Sequence, residues 1–267
     1  MSISGKLAAL LLAIGVATPA LPAIMYVHDE GGNLGTVDTA TGAASVIGNM
    51  GVQMTDIAFD PTGNLYGLGF GSLYSIDKTT GASSLIGAHG ISVGNALVFG
   101  SDGALYGAGG GSDQLYSLNV STGAGTSLGT IGFYSGGDLA FVGSDFYLAS
   151  GSGDLVKIDL ANLSNTTAIG SFGVSGVYGL ATAPDGTLYG VAGTSIFEVD
   201  TLTGLASNAM SFGGQGLGIA YGQSFYTEAG APPEPSPIPV PAAGFLLMGG
   251  MAMLGVAKRR SRAVSRK

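Results

Sequence analysis

The chain has no cysteine and no tryptophan, and only two histidines in 267 residues. Without cysteine there is neither a disulfide to staple the fold nor a thiol to act as nucleophile or metal ligand, so stability has to come from the buried core. His28 and His89 have no partner at metal-ligand spacing, so each reads as a solvated or hydrogen-bonded side chain, and a zinc site is poorly provided for. Positive charge is equally scarce where most of the chain lies. All 17 acids fall between Asp29 and Glu234, and the only basic residues in that stretch are Lys78 and Lys157, which leaves it at about −15. A body of that sign disfavours nucleic acid, whose phosphates need lysine and arginine neighbours. Six of the nine Lys and Arg sit in the last ten residues.

What is abundant is glycine, 49 residues, and it recurs in order. The stretch 55–87, TDIAFDPTGNLYGLGFGSLYSIDKTTGASSLIG, holds four short apolar runs separated by Gly, Asp, Asn, Pro and Thr clusters, which are strand and turn signals. Asp60-Pro61-Thr62-Gly63 supplies a fixed φ and then a residue able to take positive φ, the chemistry of a tight connection between antiparallel strands. The tyrosine of the second run recurs as Tyr26, Tyr66, Tyr106, Tyr147 and Tyr189, every 40 to 42 residues. The residue opening the last turn recurs as Asp38, Asp77, Asn119, Asp159 and Asp200, followed by Thr-Gly at 41–42, 80–81, 122–123 and 203–204. The fourth copy alone breaks this, with LANLSN in place of Thr-Gly.

Four strands repeating every 40 or so residues predict an all-β fold, a β-propeller with one unit per blade. Residues 24–48 hold three strands and lack the first strand of the unit. Full units begin near Asp56, Asn95, Asp138 and Gly179, and Gly218–Tyr221 supplies a spare first strand. Three N-terminal strands plus that spare make one shared closing blade, so residues 24–230 are expected to form five blades and leave no open edge. A second-strand match at Phe225-Tyr226 is left over, which keeps a six-bladed or incompletely closed ring as the alternative.

The two ends differ in kind. Residues 1–23 run from Lys6 through LAALLLAIGV to ATPALPA, the order of a secretory signal peptide with cleavage after Ala20 or Ala23. Residues 231–239, APPEPSPIP, are a Pro-rich extended linker. Residues 240–257 are an apolar stretch long enough for a marginal transmembrane helix, and 258–267 a basic tail that stays cytoplasmic. Pro233-Glu234-Pro235, then Ile238-Pro239-Val240-Pro241-Ala242-Ala243, then the apolar stretch and Lys258-Arg259-Arg260, resemble the C-terminal sorting signal of PEP-CTERM proteins (residues 233–260), closest to the variant with a Val-Pro-Leu-Pro-Ala core. The resemblance implies recognition by an exosortase-type processing protease, removal of the helix after a transient stay in the inner membrane, and delivery to the cell surface or extracellular matrix. The blades resemble YVTN-type repeats (NLGTVDTATGAASVIG) and NHL-type ones (FDPTGNLYGLG) in their turns only, which implies no function.

For chemistry the sequence offers carboxylates. Asp60, Asp102 and Asp185 fall between first and second strands, and Asp38, Asp77, Asp159 and Asp200 before the last strand, where turn formation explains them. The Gly-rich clusters at 109–113 and 150–154 open no helix, so they are not phosphate-binding loops. The reading is therefore an exported, surface-sorted, non-enzymatic propeller that binds an extracellular polysaccharide or a protein, in biofilm or exopolysaccharide, with no catalytic, metal or cofactor residue. The alternative is an exported propeller hydrolase or lactonase with a carboxylate-bound divalent cation, which convergence of three or more acids on the central channel would favour.

Overall fold

The computed structural model describes residues 23–230, so the signal-peptide, sorting-signal and membrane-helix expectations lie outside the described residues. The first described strands are β1 (Ile24–Asp29), β2 (Asn33–Asp38) and β3 (Ala44–Asn49). Blade II follows with β4 (Asp56–Phe59), β5 (Leu65–Leu68), β6 (Ser72–Ile76) and β7 (Ser83–Ala88). Blade III holds β8 (Gly94–Phe99), β9 (Leu105–Gly109), β10 (Ser112–Leu118) and β11 (Gly125–Thr130). Blade IV is β12 (Ser135–Val142), β13 (Asp145–Ser150), β14 (Asp154–Ile158) and β15 (Thr167–Ser171), and blade V β16 (Val177–Thr182), β17 (Leu188–Ala192), β18 (Ser195–Val199) and β19 (Ala206–Ser211). The last strand, β20 (Ala220–Phe225), pairs antiparallel with β1 and completes blade I in the order β20-β1-β2-β3. Five four-stranded sheets result, and their first strands β4, β8, β12, β16 and β20 touch one another around a closed ring. The fold is a five-bladed propeller; six blades and an open ring are excluded.

The closing strand corrects the sequence reading in its bounds. Gly218 and Ile219, expected to start the strand, end the connector instead: Gly218 N donates to Asp29 Oδ2 at 2.8 Å, and Ile219 O accepts from Glu30 N at 2.8 Å. Nor is there a second strand at 225–226. β1 already occupies that place in the sheet, so Phe225 ends the first strand, and residues 226–229 turn back over the ring.

Each turn is built by the residues that predicted it. Asp60 Oδ1 accepts from Thr62 N and Asn64 N at 2.8 and 2.9 Å, with Gly63 at φ 83°. In the last turns Asp38, Asp77, Asn119, Asp159 and Asp200 each use Oδ1 to accept from the amides two and three residues on. This satisfies amides that no ladder reaches.

The Thr-Gly of these turns also joins neighbouring blades. A Cβ on Gly48, Gly87 or Gly170 in an outer strand would collide with the carbonyl of Thr80, Thr122 or Thr203 in the next blade's turn. Outer-strand glycine and Thr-Gly are thus two halves of one close contact between blades. Where blade IV lacks Thr-Gly, residues 163–165 form a short 3-10 turn, and Leu163 stands against Gly129 of blade III.

A second inter-blade pairing runs nearer the axis. In four of the five blades the tyrosine of the second strand packs on an aromatic at or next to the end of the next blade's first strand: Tyr26 on Phe59 at 4.9 Å, Tyr66 on Phe99 at 5.2 Å, Tyr106 on Phe141 at 5.8 Å and Tyr189 on Phe225 at 5.8 Å. Each such pair adds roughly 0.5–1.5 kcal/mol beyond the area it buries. The register puts Thr182 in the fifth of these aromatic positions, so Tyr147 has no ring to meet.

Candidate functional site

Five departures from the repeat, Asp56, Asp138, His28, Thr182 and residues 160–164, lie at the axis or beside one groove. The strand register fixes the comparison. Asp56, Ala96, Asp138, Gly179 and Gly222 occupy one position of the five inner strands, and opposite them stand Leu68, Ala108, Ala149, Val191 and His28. Two acids and a histidine therefore enter a layer that is otherwise apolar or side-chain free.

Asp56 and Asp138 are fully buried and staple blades together. Asp56 Oδ1 accepts from Ile57 N and its Oδ2 from Leu97 N of blade III at 2.6 Å; Asp138 Oδ1 accepts from Leu139 N and its Oδ2 from Leu180 N of blade V at 2.7 Å. The two carboxyls lie close enough for each to shift the other's titration. Burial, and for Asp138 also the charge of Asp56, pushes both well above the ordinary carboxylate range.

Glu228 lies on the segment that follows β20 and crosses the ring at the end where first strands turn into second strands. Its Oε1 accepts from Thr182 N at 3.1 Å and its Oε2 from Ser224 Oγ at 2.9 Å, while Ala229 packs with Leu97 and Phe99. Part of the residue meets solvent but the carboxyl group is enclosed, and burial raises its pKa to about 8. Its charge acts on both aspartates.

His28 overturns the expectation of a solvated or hydrogen-bonded ring. It is fully buried, neither ring nitrogen has a hydrogen-bond partner, and burial lowers its pKa to about 3. Nε2 stands 2.6 Å, and Asp56 Oδ1 2.5 Å, from where a Cβ on Gly222 would lie, so glycine is what makes room for both. His89 does meet the expectation: Nε2 donates to Gly69 O at 2.9 Å and Nδ1 accepts from Ile91 N at 3.0 Å.

Two adjoining pockets that share Tyr106 and Leu160 form a groove at the same end of the ring as Glu228. Its inner part, about 460 Å³, is bounded by Asp102, Tyr106, Phe141, Thr182 and Glu228. Its outer part, about 510 Å³, runs between Leu128 and Gly129 of blade III and Leu160 to Ser164 of blade IV. Tyr106 and Leu160 line both parts. Two breaks of the repeat make this groove: Thr182 stands where other blades place an aromatic ring, and residues 160–164 replace the Thr-Gly turn. Thr182 is 8% exposed, and its hydroxyl has no hydrogen-bond partner.

A divalent cation does not fit these carboxyls. Three acids do come together at the axis, but both oxygens of Asp56, Asp138 and Glu228 already accept hydrogen bonds from the protein. Among the described residues no group of three His, Cys, Asp or Glu is placed to hold a metal ion. The turn acids do what the sequence assigned to them, and the glycine clusters at 109–113 and 150–154 lie in second-to-third-strand turns. Sequence reasoning marked Asp56 and Asp138 only as the starts of units. Aligning the five repeats by column would have exposed them, along with His28 and Thr182.

No protein-family model matches the chain, and no curated protein matches it either. Solved structures do. A chain of the nidogen/laminin complex is similar with a TM-score of 0.54 at 11% identity, over 76% of this chain and 97% of that one. A symmetrical protein whose evolutionary emergence is shaped by folding constraints is similar with a TM-score of 0.52 at 19% identity, over 75% and 97%. Virginiamycin B lyase from Staphylococcus aureus is similar with a TM-score of 0.41 at 9% identity, over 71% and 70%. At these identities the likeness concerns the β-propeller fold alone.

Proposed function

We propose that the chain is an exported, surface-sorted binding propeller without catalytic activity, and that the groove between blades III and IV is its ligand seat. One observation carries this reading: two independent departures from the repeat, Thr182 and residues 160–164, border two adjoining pockets that share Tyr106 and Leu160. A ring built only for closure gains nothing from losing an aromatic pair and a blade-to-blade latch side by side. The sorting reading of residues 233–260 adds the destination, with an exosortase-type protease as processing partner and an extracellular polymer as the binding partner.

The test blocks the groove without touching the core. Ser144 and Ser164 are exposed residues lining its inner and outer parts. Ser144→Trp and Ser164→Trp should leave folding intact but release the protein from the extracellular matrix of the producing cells into the medium. Retention equal to that of the parent would refute the groove as ligand seat. Chelator-sensitive hydrolysis of an ester or lactone by the purified parent, lost in Glu228→Gln, would establish the hydrolase alternative instead.

A further inference from the structure

We infer that the groove takes an extended basic polypeptide segment, with a lysine side chain entering the inner part and an apolar side chain resting in the outer part. This rests on the groove being the ligand seat. The inference starts from charge. Residues 23–230 carry sixteen acids and two lysines, a formal −14. Both lysines are engaged away from the groove lining: Lys157 Nζ pairs with Asp145 at 2.8 Å, and Lys78 Nζ lies 3.9 Å from the centroid of the Tyr226 ring. An anionic ligand would meet this field with no cation to receive it, whereas a cationic one is attracted from a distance and held on arrival.

The lining then selects among cations. The inner part offers an ammonium group the Asp102 carboxylate, with the buried, unpartnered Thr182 hydroxyl and the enclosed Glu228 carboxyl just beneath the lining, and Tyr106 and Phe141 flank the path to it. Aromatic walls suit an aliphatic stem that ends in a cation, which is the chemistry of lysine. The outer part is formed by Leu128, Leu160 and Leu163, of which Leu128 and Leu160 are 46% and 41% exposed. Leucines there favour an apolar side chain over the hydroxyls of a neutral sugar or the second ammonium of a polyamine.

Glu228 supplies a signature of its own. The groups facing it are the Asp56 and Asp138 carboxyls below, the Ser224 hydroxyl and the Thr182 and Phe225 amides, with Asp102 and Tyr106 in the groove wall. With its pKa at about 8 it is protonated at neutral pH, and an ammonium beside it favours the ionised form. Lysine entry therefore expels a proton.

The experiment is calorimetric titration of the purified protein with capped decapeptides carrying one lysine and one leucine at varied spacing, with glutamate-for-lysine counterparts, spermidine and maltoheptaose as the other arms. One lysine peptide should bind about tenfold or more tighter than every other arm and weaken as salt rises. Asp102→Asn, which keeps an oxygen to accept from Ala104 N, should weaken it several-fold, as should Leu163→Ser. Proton release, read from the dependence of heat on buffer ionisation, should vanish in Glu228→Gln. Glutamate peptides binding equally well, spermidine or maltoheptaose binding more tightly, or indifference to both Asp102→Asn and Leu163→Ser would overturn the inference. If no arm binds while the groove-blocked variants still lose matrix retention, the ligand class is wrong and the seat stands; if retention is unaffected, the seat itself is wrong.

Discussion

Replacing His28 with leucine, the residue blade II holds at the same register, should stabilise the protein, and more so in acid. The reasoning begins from a fully buried ring with two unpartnered nitrogens. Leaving a buried polar group unsatisfied costs about 1–3 kcal/mol, and leucine removes that cost at every pH. The pH-dependent part follows from linkage. The folded-state pKa, about 3, lies below the ordinary 6.5, so the unfolded chain takes up a proton first as pH falls, and each proton it binds alone favours unfolding. Above pH 6.5 the effect is absent. Below it, stability falls by about 1.4 kcal/mol per pH unit, a cumulative loss of roughly 2 kcal/mol at pH 5 and on the order of 4–5 kcal/mol near pH 3. Comparing parent and His28→Leu at each pH cancels the carboxyl titrations common to both. Urea unfolding followed by circular dichroism at several pH values gives the difference, which should widen as pH drops from 6.5. A difference constant between pH 7 and pH 4, or a variant less stable than the parent at pH 5, would refute the reasoning.

Glu228 acts with the opposite sign. Its folded pKa, about 8, is raised above 4.5, so its contribution is fully present below pH 4.5 and is lost as pH rises to 8, a change on the order of 4–5 kcal/mol; Glu228→Gln should flatten the alkaline fall in urea midpoint. Gly87→Ala should cost about 1–3 kcal/mol, because its Cβ meets the Thr122 carbonyl, whereas Gly71→Ala, with open space around it, should be near neutral in the same melts. Deleting residues 217–230 removes β20 and bares the edge of β1, so light scattering should show aggregation and the cooperative unfolding transition should be lost. Mass spectrometry of the surface-extracted protein should find a terminus near Pro241, and Pro239→Ala with Pro241→Ala should accumulate a form that still carries Lys267.

The propeller could be read from the chain because its determinants are local. Asp60-Pro61-Thr62-Gly63 and the recurring Asp-x-x-Thr-Gly each specify a turn by their own side chains, and any turn of that kind falls at the same offset in every unit. The shared blade was legible too, since three strands at one end and a spare strand at the other admit a simple closure. The bounds of the closing strand were not, because the apolar run GLGIA leads straight into AYGQSF with no turn signal between them; only the hydrogen bonds of Gly218 and Ile219 to blade I decide where β20 begins.

The site was hidden for a different reason. Asp56, Asp138, His28 and Glu228 are far apart in sequence and meet because a closed ring brings the inner layer of every blade to one axis. Composition predicted that acids would be plentiful and that most would make turns, and that holds for the seven assigned to turns. Which two would instead lose their water and pin neighbouring blades could not be read from spacing, because desolvation depends on what surrounds a side chain in three dimensions. The repeat by itself determined a propeller of four-stranded blades and its turns, with five blades expected and six left open until the pairing of β20 with β1 decided the count. The tertiary structure alone decided that its irregularities, Thr182 and residues 160–164, open onto one groove, since only ring closure sets blade IV between its two neighbours and carries Glu228 across the end of the channel.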